Sequence, residues 1–232
     1  MFLINNSQPE KTAIVCDNGD TISYGKLKKL INSFSIYFKE RSIVFLIGSN
    51  NVSSLVCYFA ALESGVVPLL LSENINDEQL NDLIDIYSPK YIFSKKTFSN
   101  SIYSLRAKVE EGHLFLRNKA LDISIHKDLA LLLTTSGSTG SPKLVKLTKE
   151  NIKSNAESIS EYLKIGYDDR AITSLPFNYS YGLSVINSHL FSGGSIVLSN
   201  SSMMEEKFWK SINDYSVTSI AGVPYNYEMM LR

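Results

Sequence analysis

Short apolar runs alternate with segments of helical periodicity along almost the whole chain. The segment from Tyr24 to Lys39 has apolar residues at three- and four-residue spacing, which predicts a helix with one apolar face. The run from Ile43 to Ile47 is apolar throughout, as in a strand covered on both faces. Such alternation is typical of parallel strands joined by crossover helices. It predicts an α/β fold of layered, doubly wound, mostly parallel sheets with helices on both faces.

The first half of the chain is predicted to begin with a hairpin and to continue with three strand-and-helix units. Asn18-Gly19 is a hairpin turn pair between the apolar run Ala13 to Cys16 and the short strand Thr21 to Ser23. Further strands are predicted at Val66 to Leu71 and Tyr91 to Phe93. Residues 94–112 are polar and broken in pattern, so we expect a connection with one short helix there, and a possible subdomain seam within 94–128.

The second half continues the alternation, with a loop rich in glycine and serine after its first strand. The predicted strands are Leu129 to Thr135, Leu144 to Leu147, Arg170 to Ser174, Ser195 to Leu198 and Val217 to Ala221. The predicted helices are Ile152 to Leu163, Gly182 to Phe191 and Met204 to Tyr215.

Composition and charge remove several classes of function. The 232 residues are 44% hydrophobic and 20% charged, and 23 basic residues balance 23 acidic ones. A chain without a basic excess is poorly suited to nucleic acid, and no apolar run approaches the roughly 20 residues of a membrane span. Cys16 and Cys57 each lie in an apolar stretch, which predicts buried, reduced thiols. We therefore expect a cytoplasmic protein that binds neither nucleic acid nor membrane.

One loop, directly after the strand predicted at Leu129 to Thr135, combines hydroxyls, two glycines and a lysine. Gly137 and Gly140 permit positive φ and let backbone N–H groups point into a concave site for an anion. The hydroxyls nearby donate to phosphate oxygens, and Lys143 adds a full positive charge. The loop is therefore predicted to bind a polyphosphate.

The nucleotide-binding P-loop is the obvious alternative for this loop. Counted from Gly137, that motif needs glycine where Pro142 stands and a metal-binding hydroxyl where Leu144 stands. The segment after the loop also has the pattern of a strand, whereas a P-loop leads into a helix whose N-terminus faces the phosphate. The sequence therefore disfavours a P-loop.

Thr135 to Lys143 resembles the phosphate loop of the adenylate-forming, or AMP-binding, superfamily of acyl-CoA and aryl-CoA synthetases, peptide-synthetase adenylation domains and luciferases. Other segments similar to that family occur in the same order: Ile22-Ser23-Tyr24-Gly25-Lys26-Leu27, Ala61-Leu62-Glu63-Ser64-Gly65-Val66-Val67-Pro68, Leu175-Pro176-Phe177 with Tyr181-Gly182-Leu183, and Gly222-Val223-Pro224. The resemblance covers nearly the whole chain. It implies that residues 1–232 are the N-terminal part of the large domain of such an enzyme.

The resemblance also implies a reaction, in which ATP and a small carboxylic acid give an acyl-adenylate and pyrophosphate with Mg²⁺. The acyl group then passes to the thiol of coenzyme A or of the phosphopantetheine on an acyl carrier protein. It assigns a catalytic role to Lys143, and no metal-binding side chain is predicted. The predicted ATP-phosphate contacts are Thr135, Ser136, Gly137, Ser138, Thr139, Gly140 and Lys143. The predicted wall of the acid pocket is Asn178, Tyr179, Ser180, Tyr181 and Gly182, with Gly182 opening the helix beside it.

The chain departs from the family pattern at several points. Leu144 and Lys149 replace a glycine and a histidine usual in the family, and no acidic residue lies between Phe177 and Phe191 to bind a substrate amine. The family's later adenine-, ribose- and lysine-bearing segments do not occur before Arg232, so we expect this piece alone to be inactive. The alternative is a non-catalytic truncated homologue that acts as a binding or scaffold module. His189 is predicted to be a structural histidine.

Overall fold

The apolar runs form strands that pair into two sheets, each in its own compact unit. The computed structural model describes residues 2–4, 8–97, 100–119, 123–134 and 143–231. The continuous unit spans Leu30–Lys149, and the discontinuous unit combines Met1–Lys29 with Glu150–Arg232. In the described residues the elements are β1 (Thr12–Val15), β2 (Thr21–Ser23), α1 (Tyr24–Ser35), β3 (Ile43–Gly48), α2 (Val52–Ser64), β4 (Val67–Ser72), α3 (Asp77–Tyr87), β5 (Tyr91–Ser94), β6 (Tyr103–Val109), β7 (Gly112–Arg117), β8 (Leu129–Thr134), β9 (Leu144–Thr148), α4 (Lys149–Tyr162), β10 (Arg170–Ile172), α5 (Ser180–Ser192), β11 (Ser195–Val197), α6 (Glu206–Asp214), β12 (Ser219–Ile220) and α7 (Pro224–Met230).

The continuous unit is built on a sheet of order β6-β7-β5-β3-β4-β8-β9 within the described residues. Its middle strands β5, β3, β4 and β8 are parallel, and antiparallel pairs flank them at both ends. The crossover from β3 to β4 runs in one direction, and the crossover from β4 to β5 runs back past β3. Because such crossovers are right-handed, α2 and α3 lie on opposite faces. This confirms the doubly wound, mostly parallel class.

The residues at the two ends of helix α2 determine where this helix begins and ends. The side chain of Asn51 accepts a hydrogen bond from the Ser54 backbone N–H at 2.8 Å, which caps the first turn. Gly65 ends the helix at φ 72°, a conformation that costs glycine little. Between the caps the helix is buried almost throughout, and burial raises the pKa of the Cys57 thiol. Cys57 is thus buried as predicted, whereas the prediction is wrong for Cys16, which is half-buried.

The connection predicted over 94–112 is wrong. The described residues there form β6 and β7, an antiparallel hairpin whose turn places Glu110 at φ 50°. β6 lies at the edge of the sheet and exposes much of its length, so it tolerates the polar residues that concealed it from the apolar pattern. The described part of 94–128 lies inside the continuous unit, and the two units divide at other places in the chain.

The discontinuous unit carries a sheet of order β12-β10-β11-β1-β2 in the described residues. The predicted hairpin is confirmed, because β1 pairs antiparallel with β2 around Gly19 at φ 88°. β1 also pairs in parallel with β11, where Val15 lies beside Val197. The crossover from β10 to β11 and the crossover from β11 to β12 run in opposite directions, as in the other sheet. Among the described helices, none is both long and apolar enough to cross a membrane.

Candidate active site

The predicted phosphate loop follows β8 at the carboxyl edge of the parallel strands of the continuous unit. Thr134, the last residue of β8, is paired with Leu144, the first residue of β9, in an antiparallel register. Residues 135–143 therefore connect two neighbouring strands. The expectation that a strand rather than a helix follows the loop is confirmed, and this arrangement differs from that of a P-loop.

Most of the loop lies outside the described residues. Lys143 is described and is exposed immediately before β9, and Lys146 and Lys149 are exposed further along the same stretch. The loop is thus followed by three exposed lysines, a favourable setting for an anion. The phosphate contacts stay predictions, and those that lie outside the described residues are Thr135, Ser136, Gly137, Ser138, Thr139 and Gly140.

The carboxyl edge of the discontinuous sheet has the topology of a ligand crevice. Its crossovers leave β10 and β11 in opposite directions, and ligands of open α/β sheets bind where the direction switches. The connections that follow these two strands are held together by a reciprocal pair of hydrogen bonds. The Thr173 hydroxyl donates to the Ser199 carbonyl at 2.9 Å and accepts from the Ser199 N–H at 2.8 Å. The connections that follow β10 and β11 are therefore fixed to each other at this edge.

The five predicted acid-pocket residues span the end of the connection from β10 and the first turn of α5. Phe177 is fully buried and anchors the connection. Asn178 is half-buried and Ser180 is exposed, while Tyr179 and Tyr181 expose 45% and 42% of their surface. An amide, a hydroxyl and two partly exposed phenol rings therefore follow one another where the connection from β10 enters α5. Exposed aromatic side chains beside a crevice are suited to contact an organic ligand.

Gly182 allows the first turn of α5 to approach the connection that precedes it. A Cβ at this position would lie 2.5 Å from the Pro176 carbonyl oxygen and 3.0 Å from that of Leu175. Both distances are below van der Waals contact, so only glycine fits without a backbone shift. The helix begins at Ser180 rather than at Gly182 as predicted, because the backbone of Tyr179 already accepts a hydrogen bond from the Leu183 N–H at 2.9 Å.

A second connection reaches the same edge from the neighbouring strand β12. The Ser174 hydroxyl donates to the Ala221 carbonyl oxygen, which ties the segment after β10 to the Gly222-Val223-Pro224 turn. The Asn226 side chain accepts from the Val223 N–H at 2.9 Å and so fixes the start of α7. Ser174 was not predicted from the sequence as a residue of this edge. The available signal was its position at the end of the predicted strand Arg170 to Ser174, where polar side chains of a parallel sheet gather.

His189 lies on α5 and has the structural role that the sequence predicts. It is 5% exposed, and its Nδ1 is 2.9 Å from the Val185 carbonyl oxygen. Because a carbonyl can only accept, Nδ1 carries a proton, and Nε2 can accept from the Ser219 hydroxyl at 3.3 Å. Burial lowers the pKa of this imidazole. Among the described residues no three histidine, cysteine or acidic side chains gather as a metal site.

Comparison with known proteins identifies a family whose model matches this chain. Residues 4–232 match the model of a family described as AMP-binding enzyme. The hybrid PKS-NRPS synthetase pvhA of Talaromyces variabilis is 24% identical over 95% of this chain and 6% of its own length. The 4-coumarate--CoA ligase-like 9 of Arabidopsis thaliana is 25% identical over 96% of this chain and 42% of its own length. The chain thus spans less than half of each relative.

A solved structure shares the fold. The O-succinylbenzoate coenzyme A synthetase (MenE) of Bacillus subtilis, in complex with ATP and a magnesium ion, superposes with a TM-score of 0.77 at 24% identity. The match covers 97% of this chain and 63% of that one. This likeness shows that the chain shares the fold of the matching part of that protein.

Proposed function

This chain belongs to the family of AMP-binding enzymes, and from that premise we propose that the protein activates a carboxylic acid with ATP. A carboxylate oxygen of the acid forms a bond to the α-phosphorus, and the bond to the β-phosphate bridging oxygen breaks. The products are an acyl-adenylate and pyrophosphate. A thiolate of coenzyme A or of a phosphopantetheinyl carrier then forms a bond to the acyl carbon, and AMP leaves.

The β8–β9 loop carries this proposal. The first step joins two anions, so the protein must offset their charges and hold the leaving pyrophosphate in line. A glycine-rich hairpin loop with several hydroxyls supplies N–H and O–H donors, and Lys143 at its end supplies a positive charge. Lys143 is exposed beside this loop, where it is accessible to a nucleotide.

A magnesium ion fits this chemistry as a companion of the nucleotide. Mg²⁺ keeps several waters and is commonly bound through substrate phosphates together with one or two carboxylates. The described part of the chain has no cluster of three metal-binding side chains, so an ion held mainly by the phosphates suits it. The ion would supply additional charge neutralisation at the triphosphate.

The residues around the first turn of α5 suggest which acids fit. Tyr179 and Tyr181 offer ring surface to an organic body, and Ser180 offers a hydroxyl. No carboxylate lies between Phe177 and Phe191 to pair with an ammonium group. We therefore propose an acid without a free α-amine as the substrate.

The test is acid-dependent exchange of labelled pyrophosphate into ATP by the full-length protein, with a panel of aliphatic, aromatic and amino acids. Lys143→Ala should slow exchange about tenfold or raise the ATP requirement by the same factor, because one charge-assisted contact of ~1.5–3 kcal/mol is lost. Lys146→Ala is the matched control, since it removes an exposed lysine outside the loop and should change exchange by less than about twofold.

Two results would contradict the proposal. Absence of exchange with every acid, in a folded full-length protein, would favour the alternative of a non-catalytic homologue that acts as a binding or scaffold module. Equal losses in Lys143→Ala and Lys146→Ala would show that only the general positive field matters and that the role given to Lys143 is wrong.

A further inference from the structure

A cleft of about 620 Å³ lies at the edge of the continuous unit opposite the β8–β9 loop. It is lined by residues at the amino ends of β3 and β5 and at the end of β7. Because β3, β5 and β8 are parallel, this edge is remote from the loop that follows the carboxyl end of β8. The volume is within the range of sites that bind small molecules.

The cleft has a strong excess of positive charge. Four cationic side chains line it, Arg41, Lys90, Arg117 and Lys119, against the single carboxylate of Glu40. The Lys90 ammonium pairs with that carboxylate, so the charge of the other three is not offset by an acidic residue of the lining. Such a site is complementary to a ligand with more than one negative charge.

Two of these cationic side chains are held in place by hydrogen bonds to neutral oxygens. The Arg41 guanidinium donates to the carbonyl oxygens of Gly65, His126 and Leu129 at 2.9, 2.5 and 2.7 Å. Arg117 donates to the Tyr103 hydroxyl at 3.2 Å. Neutral oxygens orient these guanidinium groups without cancelling their charge. Arg41 and Arg117 are therefore preorganised, and less ordering entropy is lost at these two side chains when a ligand binds.

Apolar side chains form the rest of the lining. Ile43 lies at the start of β3, Leu116 is half-buried near the end of β7, and Ile123 exposes 40% of its surface. A phosphate ion alone would leave this apolar surface in contact with water, whereas a ligand with a small hydrocarbon body would cover it.

We propose that this cleft is a second binding site, for an organic phosphate that carries a small apolar body. A phosphate monoester has a charge of about −1.5 to −2 at neutral pH, which matches the cationic excess better than the single charge of a carboxylate. Arg117 and Lys119 contact the phosphate, and Ile123 contacts the body. The cleft lies at the opposite edge of its sheet from the β8–β9 loop, and the proposal does not rest on the proposed adenylation reaction.

The experiment titrates the protein with phenyl phosphate, inorganic phosphate and the neutral benzyl alcohol, followed by calorimetry. Phenyl phosphate should bind most tightly and benzyl alcohol should not bind in the same concentration range. Lys119→Ala, at an exposed position, should weaken phenyl phosphate about five- to tenfold, as expected for one charge-assisted contact at a partly exposed site. Ile123→Ser should weaken phenyl phosphate but leave inorganic phosphate unchanged.

Two further variants distinguish binding of phenyl phosphate in this cleft from binding at other positively charged surfaces. Lys143→Ala removes the lysine of the β8–β9 loop, and Lys108→Ala removes an exposed lysine on β6 outside the cleft. Lys108→Ala should bind phenyl phosphate as the parent does, and Lys143→Ala should retain the binding that Lys119→Ala loses. A loss in Lys143→Ala without one in Lys119→Ala would assign the binding to the loop. A loss in Lys108→Ala equal to that in Lys119→Ala, or no binding by the parent protein, would equally overturn the proposal.

Discussion

Replacement of Gly182 by alanine tests whether the close approach at the first turn of α5 is a real constraint. In an open helix this substitution stabilises a protein by about 1 kcal/mol, because alanine restricts the unfolded backbone. Here the added Cβ would lie 2.5 Å from the Pro176 carbonyl oxygen. Close C···O contacts in proteins have separations of about 3.3–3.6 Å, so the connection would have to move by roughly 1 Å.

The steric cost of the added Cβ decides whether Gly182→Ala stabilises or destabilises the protein. Inserting an extra methyl group into a well-packed site costs typically 1–3 kcal/mol, and the obstacle here is backbone rather than the end of a flexible side chain. Because backbone cannot move aside as a flexible side chain can, the upper part of this range, about 2–3 kcal/mol, applies. After the helix gain of about 1 kcal/mol is subtracted, we expect a net loss of about 1–2 kcal/mol. Since the shift displaces residues 175–179, the predicted acid pocket should be distorted as well.

The assay is equilibrium unfolding in urea, followed by the fluorescence of Trp209, the single tryptophan of the chain. Trp209 lies on α6 in the same unit as Gly182, so it reports on the relevant part of the protein. With a slope of about 2–3 kcal/mol per molar urea, the midpoint should fall by roughly 0.5 M.

Gly166→Ala is the matched control for this prediction. A Cβ at Gly166 would meet nothing closer than 3.8 Å, and Gly166 is not among the glycines at positive φ. This variant should therefore be neutral or slightly stabilising. A midpoint for Gly182→Ala that is unchanged or raised would refute the steric argument.

Three further predictions concern the same unit. Tyr181→Ala and Ser180→Leu should change the ratio of kcat/KM between acids while the KM for ATP stays within about twofold, and a uniform loss across all acids would contradict a pocket role. Burial lowers the pKa of His189, so the folded protein binds fewer protons than the unfolded chain below the unfolded pKa of about 6.5. The contribution of the neutral imidazole to stability is therefore present above that pH and is lost as pH falls. The urea midpoint should fall from pH 7 to pH 5, and it should fall less in His189→Asn. Tyr24→Phe removes the hydroxyl that donates to the Gly194 carbonyl at 2.7 Å and should cost about 1–2 kcal/mol, whereas an unchanged urea midpoint would show that water replaces this bond.

Local sequence was sufficient to predict most of the described helices and strands of this protein. Ile43 to Ile47 predicts a buried strand because its burial on both faces leaves no polar position. The Asn51 and Gly65 caps specify the ends of α2 because each acts through its own backbone. The resemblance of residues 135–143 to the family's loop could be seen for a similar reason, since its glycines, hydroxyls and lysine are close together in the chain, and its phosphate contacts stay a prediction.

Boundaries that depend on tertiary contacts were predicted less well. The hairpin of β6 and β7 was missed because β6 is an exposed edge strand, which needs no apolar alternation. The helix predicted to extend to Lys39 ends at Ser35, and the helix predicted to begin at Met204 begins at Glu206. Apolar residues continue beyond both of these helix ends, although the backbone there is no longer helical. Periodicity alone could therefore not locate the two ends.

The arrangement of the strands and the grouping of distant side chains were decided only by the tertiary structure. The pairing of Val15 with Val197 joins residues far apart in the chain, and Arg41 and Arg117 meet at one cleft although no motif links them. Periodicity reports whether a side chain is buried, but not which strand lies beside it. That choice depends on the crossover direction and on packing between elements, which are long-range properties that a local pattern does not contain.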